Sequence, residues 1–257
     1  MSFHDNSTLE LLRQRADVNS ESETHLFWMK YLRDTIFVDT EKWVVGAEQH
    51  PVPHSTQRRM DIKVSYRLDR SFTVFLVGEA KMGKASHTEL ATVEKQGLDR
   101  CKEALSYERG EAAWVMTCRG SKARMWACRV NSTELEPLYP LEATGAEKKD
   151  YKEIKTHEEE FRKIFNLLLP LPKPTSLTVT HLLSVLAGTT EMVDEGACYV
   201  IVHENDGQFK RCTVGDEEIY LKRDFWSQGV IVCQGQLRQC WWVDNDGGDQ
   251  YWTWDRK

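Results

Sequence analysis

Three charged residues with the chemistry of a metal-assisted hydrolase stand in two neighbouring apolar segments of the sequence. Asp61 lies in the alternating segment 59–67, while Glu79 and Lys81 stand at the end of the apolar segment that begins at Phe72. Two carboxylates held close together repel each other unless one is protonated or a cation lies between them. Mg²⁺ binds one or two carboxylates together with water and phosphate. These residue types therefore predict a Mg²⁺ site with a lysine beside it, and Mn²⁺ as a substitute ion.

The two segments predict a hairpin that would bring these side chains together. The first alternates apolar and polar residues, as a half-buried strand does, and the second is almost continuously apolar, as a central strand is. A turn at residues 68–71 places Asp61 opposite Gly78 or Glu79. Glu79 and Lys81 are two residues apart and therefore project from the same face of their strand. We expect two carboxylates and one ammonium group at the end of a buried strand.

The elements around this hairpin follow from hydrophobic periodicity and from turn residues. The pattern predicts a helix over 21–34, a strand over 42–49, a helix over 88–106, strands over 112–118 and 124–130, and a charged helix over 151–168. The order is therefore α-β-β-β-α-β-β. Beyond it, the chain reads as a short helix over 179–186 followed by short strands and turns.

This order and the motif Asp61, Glu79-Ala80-Lys81 resemble the PD-(D/E)XK nuclease superfamily, over about residues 20–135. Met60 stands where the name of the motif has proline. The resemblance implies an α/β fold with a restriction-endonuclease-like αβββαβ core, a central mixed sheet and a β-rich C-terminal extension. It also implies metal-dependent hydrolysis of phosphodiester bonds in nucleic acid, in DNA rather than RNA.

The same resemblance assigns further site residues. Gln96, on the helix after the hairpin, would be catalytic beside Asp61, Glu79 and Lys81. The implied metal ligands are three oxygens of the motif and an acid from an earlier element: Asp61, Glu79, the backbone carbonyl of Ala80, and Glu23 or Glu48. Glu23 has an alternative explanation, because acids in the first turn of a helix are stabilised by the helix dipole.

A group of basic residues is the best local surface for phosphate contacts. Its members are Arg58, Arg59, Lys84, Arg119, Lys122 and Arg124. The alternative is that they are the solvated ends of strands and contact no ligand.

Composition limits these interpretations. The net charge is −6 and the pI is about 5.8, whereas proteins that bind nucleic acid usually carry a basic excess. Seven cysteines without a CxxC pair, no signal-like start and no long apolar run favour an intracellular protein, nuclear or cytoplasmic, without membrane association. The acidic charge favours a rival interpretation, in which the fold is an inactive module that binds a protein or nucleic-acid partner.

The chain divides into three predicted parts. Residues 1–19 are polar and predict a flexible N-terminal segment, apart from a short patch, Leu9–Leu12, that could dock. Residues 20–170 form the nuclease-like domain, and 171–257 form a β-rich region with five of the nine tryptophans. The proline-rich stretch 170–176 marks the last boundary. Packing explains most of the tryptophans, and a contact surface for a protein partner is the alternative. The resemblance also allows a homodimer.

Overall fold

The computed structural model describes residues 7–50, 59–142, 145–193, 197–199, 201–206, 209–214, 217–222, 226–233, 236–244 and 250–254. The chain forms two compact units, Met1–Ser176 and Leu177–Lys257. The first unit is mixed α/β with a central mixed sheet, and the second consists mainly of short strands.

A mixed sheet forms the centre of the first unit. Its strands are β1 (Trp43–Gln49), β2 (Met60–Leu68), β3 (Ser71–Lys81), β4 (Ala112–Arg119), β5 (Lys122–Arg129), β6 (Glu136–Tyr139) and β7 (Lys152–Glu153). The spatial order is β1-β2-β3-β4-β5-β6, and β7 also pairs with β5. Only β3 and β4 pair in parallel among these strands, so the chain must cross over between them. These two strands are buried along most of their length, as the apolar sequence predicts.

The helices of the first unit are α1 (Ser7–Val18), α2 (Glu21–Tyr31), α3 (His87–Glu108) and α4 (Glu158–Leu168). A π-helical turn, Leu32–Ile36, extends α2. The prediction of a flexible N-terminal segment is wrong for α1, because Leu9, Leu12 and Ala16 are buried and α1 packs against α2. None of the helices in the described ranges is both long and apolar enough to cross a membrane.

The helix α3 makes the crossover between β3 and β4. A capping box begins it: Glu89 N–H donates to the Ser86 hydroxyl, and the Glu89 carboxylate accepts from Ser86 N–H. Gly97 lies where α3 approaches the sheet most closely, since a Cβ atom there would be 2.9 Å from Val115 Cγ1. The absence of a side chain at this position lets α3 pack directly over the central strands.

The charged helix is shorter than the sequence predicts. It begins at Glu158 instead of residue 151, because Lys152–Glu153 pairs with the start of β5 as β7. Tyr151 is buried, and its hydroxyl lies 3.0 Å from Glu94 and 3.2 Å from Thr117. Backbone pairing and this polar contact override the helical pattern there.

The second unit contains α5 (Ser176–Leu186) and two sheets in which most neighbouring strands are antiparallel. The first residue of α5 belongs to the first unit. Its strands are β8 (Glu191–Met192), β9 (Cys198–Tyr199), β10 (Ile201–Asp206), β11 (Phe209–Val214), β12 (Glu217–Lys222), β13 (Ser227–Cys233), β14 (Gln236–Asp244) and β15 (Gln250–Thr253). One sheet has the order β10-β11-β12, and the other has the order β8-β13-β14-β15-β9. Trp242 and Trp252 are paired across the antiparallel strands β14 and β15.

Candidate active site

A β-bulge sets the register of the hairpin at the site. Near the turn, Leu68 pairs with Ser71, but between Val64 and Ser65 the register shifts by one residue, so that Ile62 pairs with Gly78. Continuing this register places Asp61 opposite Glu79. Without the extra residue in β3, Asp61 would lie opposite Gly78.

Where the next backbone pair between β2 and β3 would lie, the Asp61 side chain of β2 contacts the backbone of β3 instead. Its Oδ2 accepts a hydrogen bond of 2.8 Å from the backbone N–H of Ala80. Burial tends to raise the pKa of Asp61, but the neighbouring His25 ring, the Ala80 N–H and the Lys81 charge together lower it below its usual value. Asp61 is therefore charged at neutral pH, although only 15% of its side chain is exposed.

The first turns of α2 supply two further groups. Lys81 Nζ lies 2.9 Å from Glu21 Oε2, and His25 Nε2 lies 3.3 Å from Asp61 Oδ2. One potential ligand atom of each of Glu21, His25 and Asp61 lies within 4.8 Å of the others. We call these three residues the Glu21–His25–Asp61 cluster.

Glu79 is buried beside this cluster without belonging to it. Its side chain faces α3: a Cβ atom at Gly97 would lie 3.9 Å from Glu79 Cγ. Only 3% of Glu79 is exposed. Burial raises the pKa of the Cys118 thiol, and the negative charges of Asp61 and Glu79 raise it further. Both carboxylates are therefore close enough to Cys118 of β4 to influence its titration.

The end of β3 is held by the turn between β4 and β5. Lys81 pairs with Arg119 in the parallel ladder, and its carbonyl accepts from Gly120 N–H at 3.0 Å. The Gly120 carbonyl accepts from Trp28 Nε1 of α2 at 2.7 Å. On the other side of the turn, Asp17 of α1 accepts from both the N–H and the hydroxyl of Ser121. The lysine thus stands at a point where three strands and two helices are joined.

Of the two acids assigned to earlier elements, only Glu23 has a described side chain, and it does not contact Lys81. Glu23 forms an ion pair with Arg15, and Glu21 rather than Glu23 contacts Lys81. Glu48 belongs to β1, but its side chain lies outside the described part of the chain. The i, i+4 spacing of Glu21 and His25 would have placed both on one face of α2, and this is the signal that the sequence analysis did not use.

The other residues predicted for the site lie on the helix and the strand where the sequence placed them. Gln96 is half-buried on α3, one residue before the close approach at Gly97. Ala80 is fully buried in β3, and its N–H, rather than its carbonyl, makes the contact with Asp61.

The predicted phosphate-binding residues differ in their exposure to solvent. Arg58 lies outside the described residues. Arg59 and Lys84 are exposed, with Arg59 Nε donating to His50 Nε2, and Arg119 and Lys122 are half-buried.

The prediction that Arg124 belongs to a phosphate-binding surface is wrong. It is 0% exposed, pairs with Glu94 at 2.9 Å, donates to the Gly145 carbonyl and stacks on Trp126 with 3.8 Å between the guanidinium carbon and the ring centre. A side chain so enclosed has no face left for a nucleic acid.

A cleft of about 380 Å³ lies beside the cluster, between α2, its π-helical extension and Ala47 of β1. His25 forms part of its wall, together with the basic residues Lys30 and Arg33. Lys30 also forms an ion pair with Asp34. The cleft gives solvent and ions a route to the His25 side of the cluster.

Comparisons with protein-family models, with characterised proteins and with solved structures give no match to this chain. The functional argument therefore depends on the geometry of the site itself.

Proposed function

We propose that this protein is a metal-dependent nuclease of the PD-(D/E)XK type that hydrolyses phosphodiester bonds in nucleic acid, in DNA rather than RNA. The observation that carries the proposal is the position of Asp61 and Lys81 close together at one end of β3, with Glu21 and His25 added from α2 and Glu79 buried nearby in the same strand. The element order α2-β1-β2-β3-α3-β4 supports the proposal, because it matches the αβββαβ order that the sequence resemblance implies.

The donor set suits a divalent cation. Asp61 is charged and points at a second carboxylate and an imidazole, which is a ligand set that proteins use for metals. A bound cation would lower the pKa of a coordinated water and offset the charge on the scissile phosphate. Glu21, His25 and Asp61 would hold the ion.

The chain's own groups have distinct roles in this proposal. The Ala80 N–H fixes the orientation of the Asp61 carboxylate. Lys81 is held at the site by Glu21, and its ammonium group would bind the phosphate and orient the attacking water. Glu79, which is buried against α3, would bind the ion through the oxygen nearest the cluster, or it would hold a water molecule for Lys81.

A second function is favoured by the charge of the chain. The net charge is −6, and the burial of Arg124 removes one cation from the proposed phosphate surface. An inactive module of the same fold, binding a protein or nucleic-acid partner, would need neither the metal nor Lys81.

Cleavage of plasmid DNA, single-stranded DNA and RNA with Mg²⁺ or Mn²⁺ tests the proposal. We expect metal-dependent cleavage by the wild type, and a loss of about 10²–10³-fold in Asp61→Asn and Lys81→Ala, because each removes charge stabilisation at the reacting phosphate. Glu23→Gln is the matched control, since Glu23 lies in the same turn of α2 as Glu21 but pairs with Arg15.

Circular dichroism would verify that the inactive variants remain folded. Activity of Asp61→Asn equal to that of the wild type would refute the assigned site. Absence of cleavage of every substrate by the wild type would instead favour the binding module.

A further inference from the structure

We infer that the Glu21–His25–Asp61 cluster is a mixed nitrogen–oxygen metal site that selects a first-row transition-metal ion over Mg²⁺. As a statement about the cofactor of a nuclease, the inference rests on the proposed function. As a statement about metal binding, it concerns only these three side chains and can be tested without nucleic acid.

The distances fit one shared ion. Two ligands about 2.1 Å from the same ion lie about 3.0 Å apart at a right angle and about 3.4 Å apart at the tetrahedral angle. The separation of His25 Nε2 and Asp61 Oδ2 is 3.3 Å, within this interval. The third ligand atom, from Glu21, lies within 4.8 Å of both, so it is close enough to complete the site if the Glu21 side chain rotates towards the ion.

The imidazole nitrogen is available for coordination. His25 Nε2 is buried, and despite its distance of 3.3 Å from Asp61 it makes no hydrogen bond of good geometry. A buried polar atom normally has a well-aligned hydrogen-bond partner, and the 3.3 Å contact of His25 Nε2 with Asp61 lacks that alignment, which calls for an explanation. A metal ion between the two groups supplies it.

Lys81 does not block the site. Its ammonium group contacts Oε2 of Glu21. A carboxylate has two oxygens, so Glu21 can keep Lys81 on one and offer the other to an ion. The lysine charge also offsets part of the repulsion between Glu21 and Asp61 in the protein without metal.

The imidazole determines which ion is preferred. Mg²⁺ is a hard ion that selects oxygen ligands and keeps several waters, whereas imidazole suits the transition metals. No cysteine belongs to the cluster, so ions that require thiolate are not favoured. This ligand set therefore favours Mn²⁺ and the later first-row ions over the Mg²⁺ expected from sequence.

Isothermal titration calorimetry with Mn²⁺ and with Mg²⁺ alone, on the full chain without nucleic acid, tests the inference. We expect the wild type to bind Mn²⁺ at least tenfold more tightly than Mg²⁺. His25→Ala should weaken Mn²⁺ binding about tenfold or more while Mg²⁺ binding changes less than threefold. His87→Ala is the matched control, because His87 is an exposed histidine at the start of α3 outside the cluster.

Pulsed electron paramagnetic resonance of bound Mn²⁺ gives a second measurement that does not depend on the folding of His25→Ala. We expect a nitrogen coupling from imidazole in the wild type and in His87→Ala, and its loss in His25→Gln. Equal affinities for the two ions, or a bound Mn²⁺ without nitrogen coupling, would overturn the inference.

The two proposals fail in different ways. Mn²⁺ binding that depends on His25, without cleavage of any nucleic acid, would uphold the metal site and remove the nuclease. Metal-dependent cleavage whose preference for Mn²⁺ over Mg²⁺ is the same in His25→Ala would uphold the nuclease and remove the metal site inferred here.

Discussion

Arg124→Met distinguishes a structural arginine from a nucleic-acid contact. The Arg124 side chain is 0% exposed, and its partner Glu94 is 15% exposed. Removing one member of a buried ion pair leaves the other charge uncompensated and costs about 3–5 kcal/mol. Glu94 keeps a hydrogen bond from the Tyr151 hydroxyl, so we expect the lower end of this range, about 3 kcal/mol.

Urea denaturation and thermal unfolding at pH 7 measure the effect. A loss of about 3 kcal/mol lowers the Tm by about 6–12 °C for a chain of this size. Lys122→Met is the control, because Lys122 is half-buried two residues earlier on β5 and should change the free energy of unfolding by no more than about 0.5 kcal/mol.

The double variant Glu94→Gln/Arg124→Met should recover at least half of the loss. Burial raises the pKa of Glu94 and lowers that of Arg124, so the charged forms of both groups are costly in this environment. Nε and Nη2 of Arg124 are also buried without hydrogen bonds. The reasoning is refuted if Arg124→Met lies within about 1 kcal/mol of the wild type, or if the double variant is less stable than Arg124→Met.

Two further predictions concern residues that do not belong to the metal cluster. Gly120→Ala should cost more than about 1–2 kcal/mol, because φ is +57° and a Cβ atom would lie 2.6 Å from Asp17 Oδ1. Gly145→Ala has a similar φ of +70° with no atom within 4 Å, so equal unfolding free energies of the two variants would contradict the steric argument. The hydrogen bond from Arg13 lowers the pKa of Glu10 from 4.5 to about 2, so its stabilisation is present above pH 4.5 and lost as the pH falls towards 2. Urea titrations should therefore show Glu10→Gln less stable than the wild type at pH 6, with most of this difference gone at pH 2; a constant difference would count against this pair.

The sequence predicted the elements that depend on local hydrophobic pattern. The observed β2, β3 and α3 each lie within two residues of the predicted bounds, because alternation and periodicity are set by which face is buried. The bulge in β3 left no such signal, and the prediction could only place Asp61 opposite either Gly78 or Glu79. Tertiary packing makes that choice.

The errors have a common physical origin in partners distant along the chain. Arg124 was predicted to contact phosphate because it is positively charged, but in the structure it pairs with Glu94, which lies 30 residues earlier. The helix α1 was missed because its buried side consists of only Leu9, Leu12 and Ala16, among polar neighbours. A single sequence shows the residue types but not which distant residue will neutralise or cover them.

The attachment of α1 has a consequence for how the chain is made. The Asp17 carboxylate accepts a hydrogen bond from the backbone N–H of Ser121, which lies 104 residues later. At about 5–20 residues per second, synthesis of those 104 residues takes about 5–20 s, during which the Ser121 partner of Asp17 has not yet been made. A helix of 12 residues is marginal on its own in water, so α1 depends on tertiary contacts for its stability. The contact of Asp17 with Ser121 therefore forms only after the turn between β4 and β5 has been made, and the end of β3 that carries Lys81 is braced only when that happens.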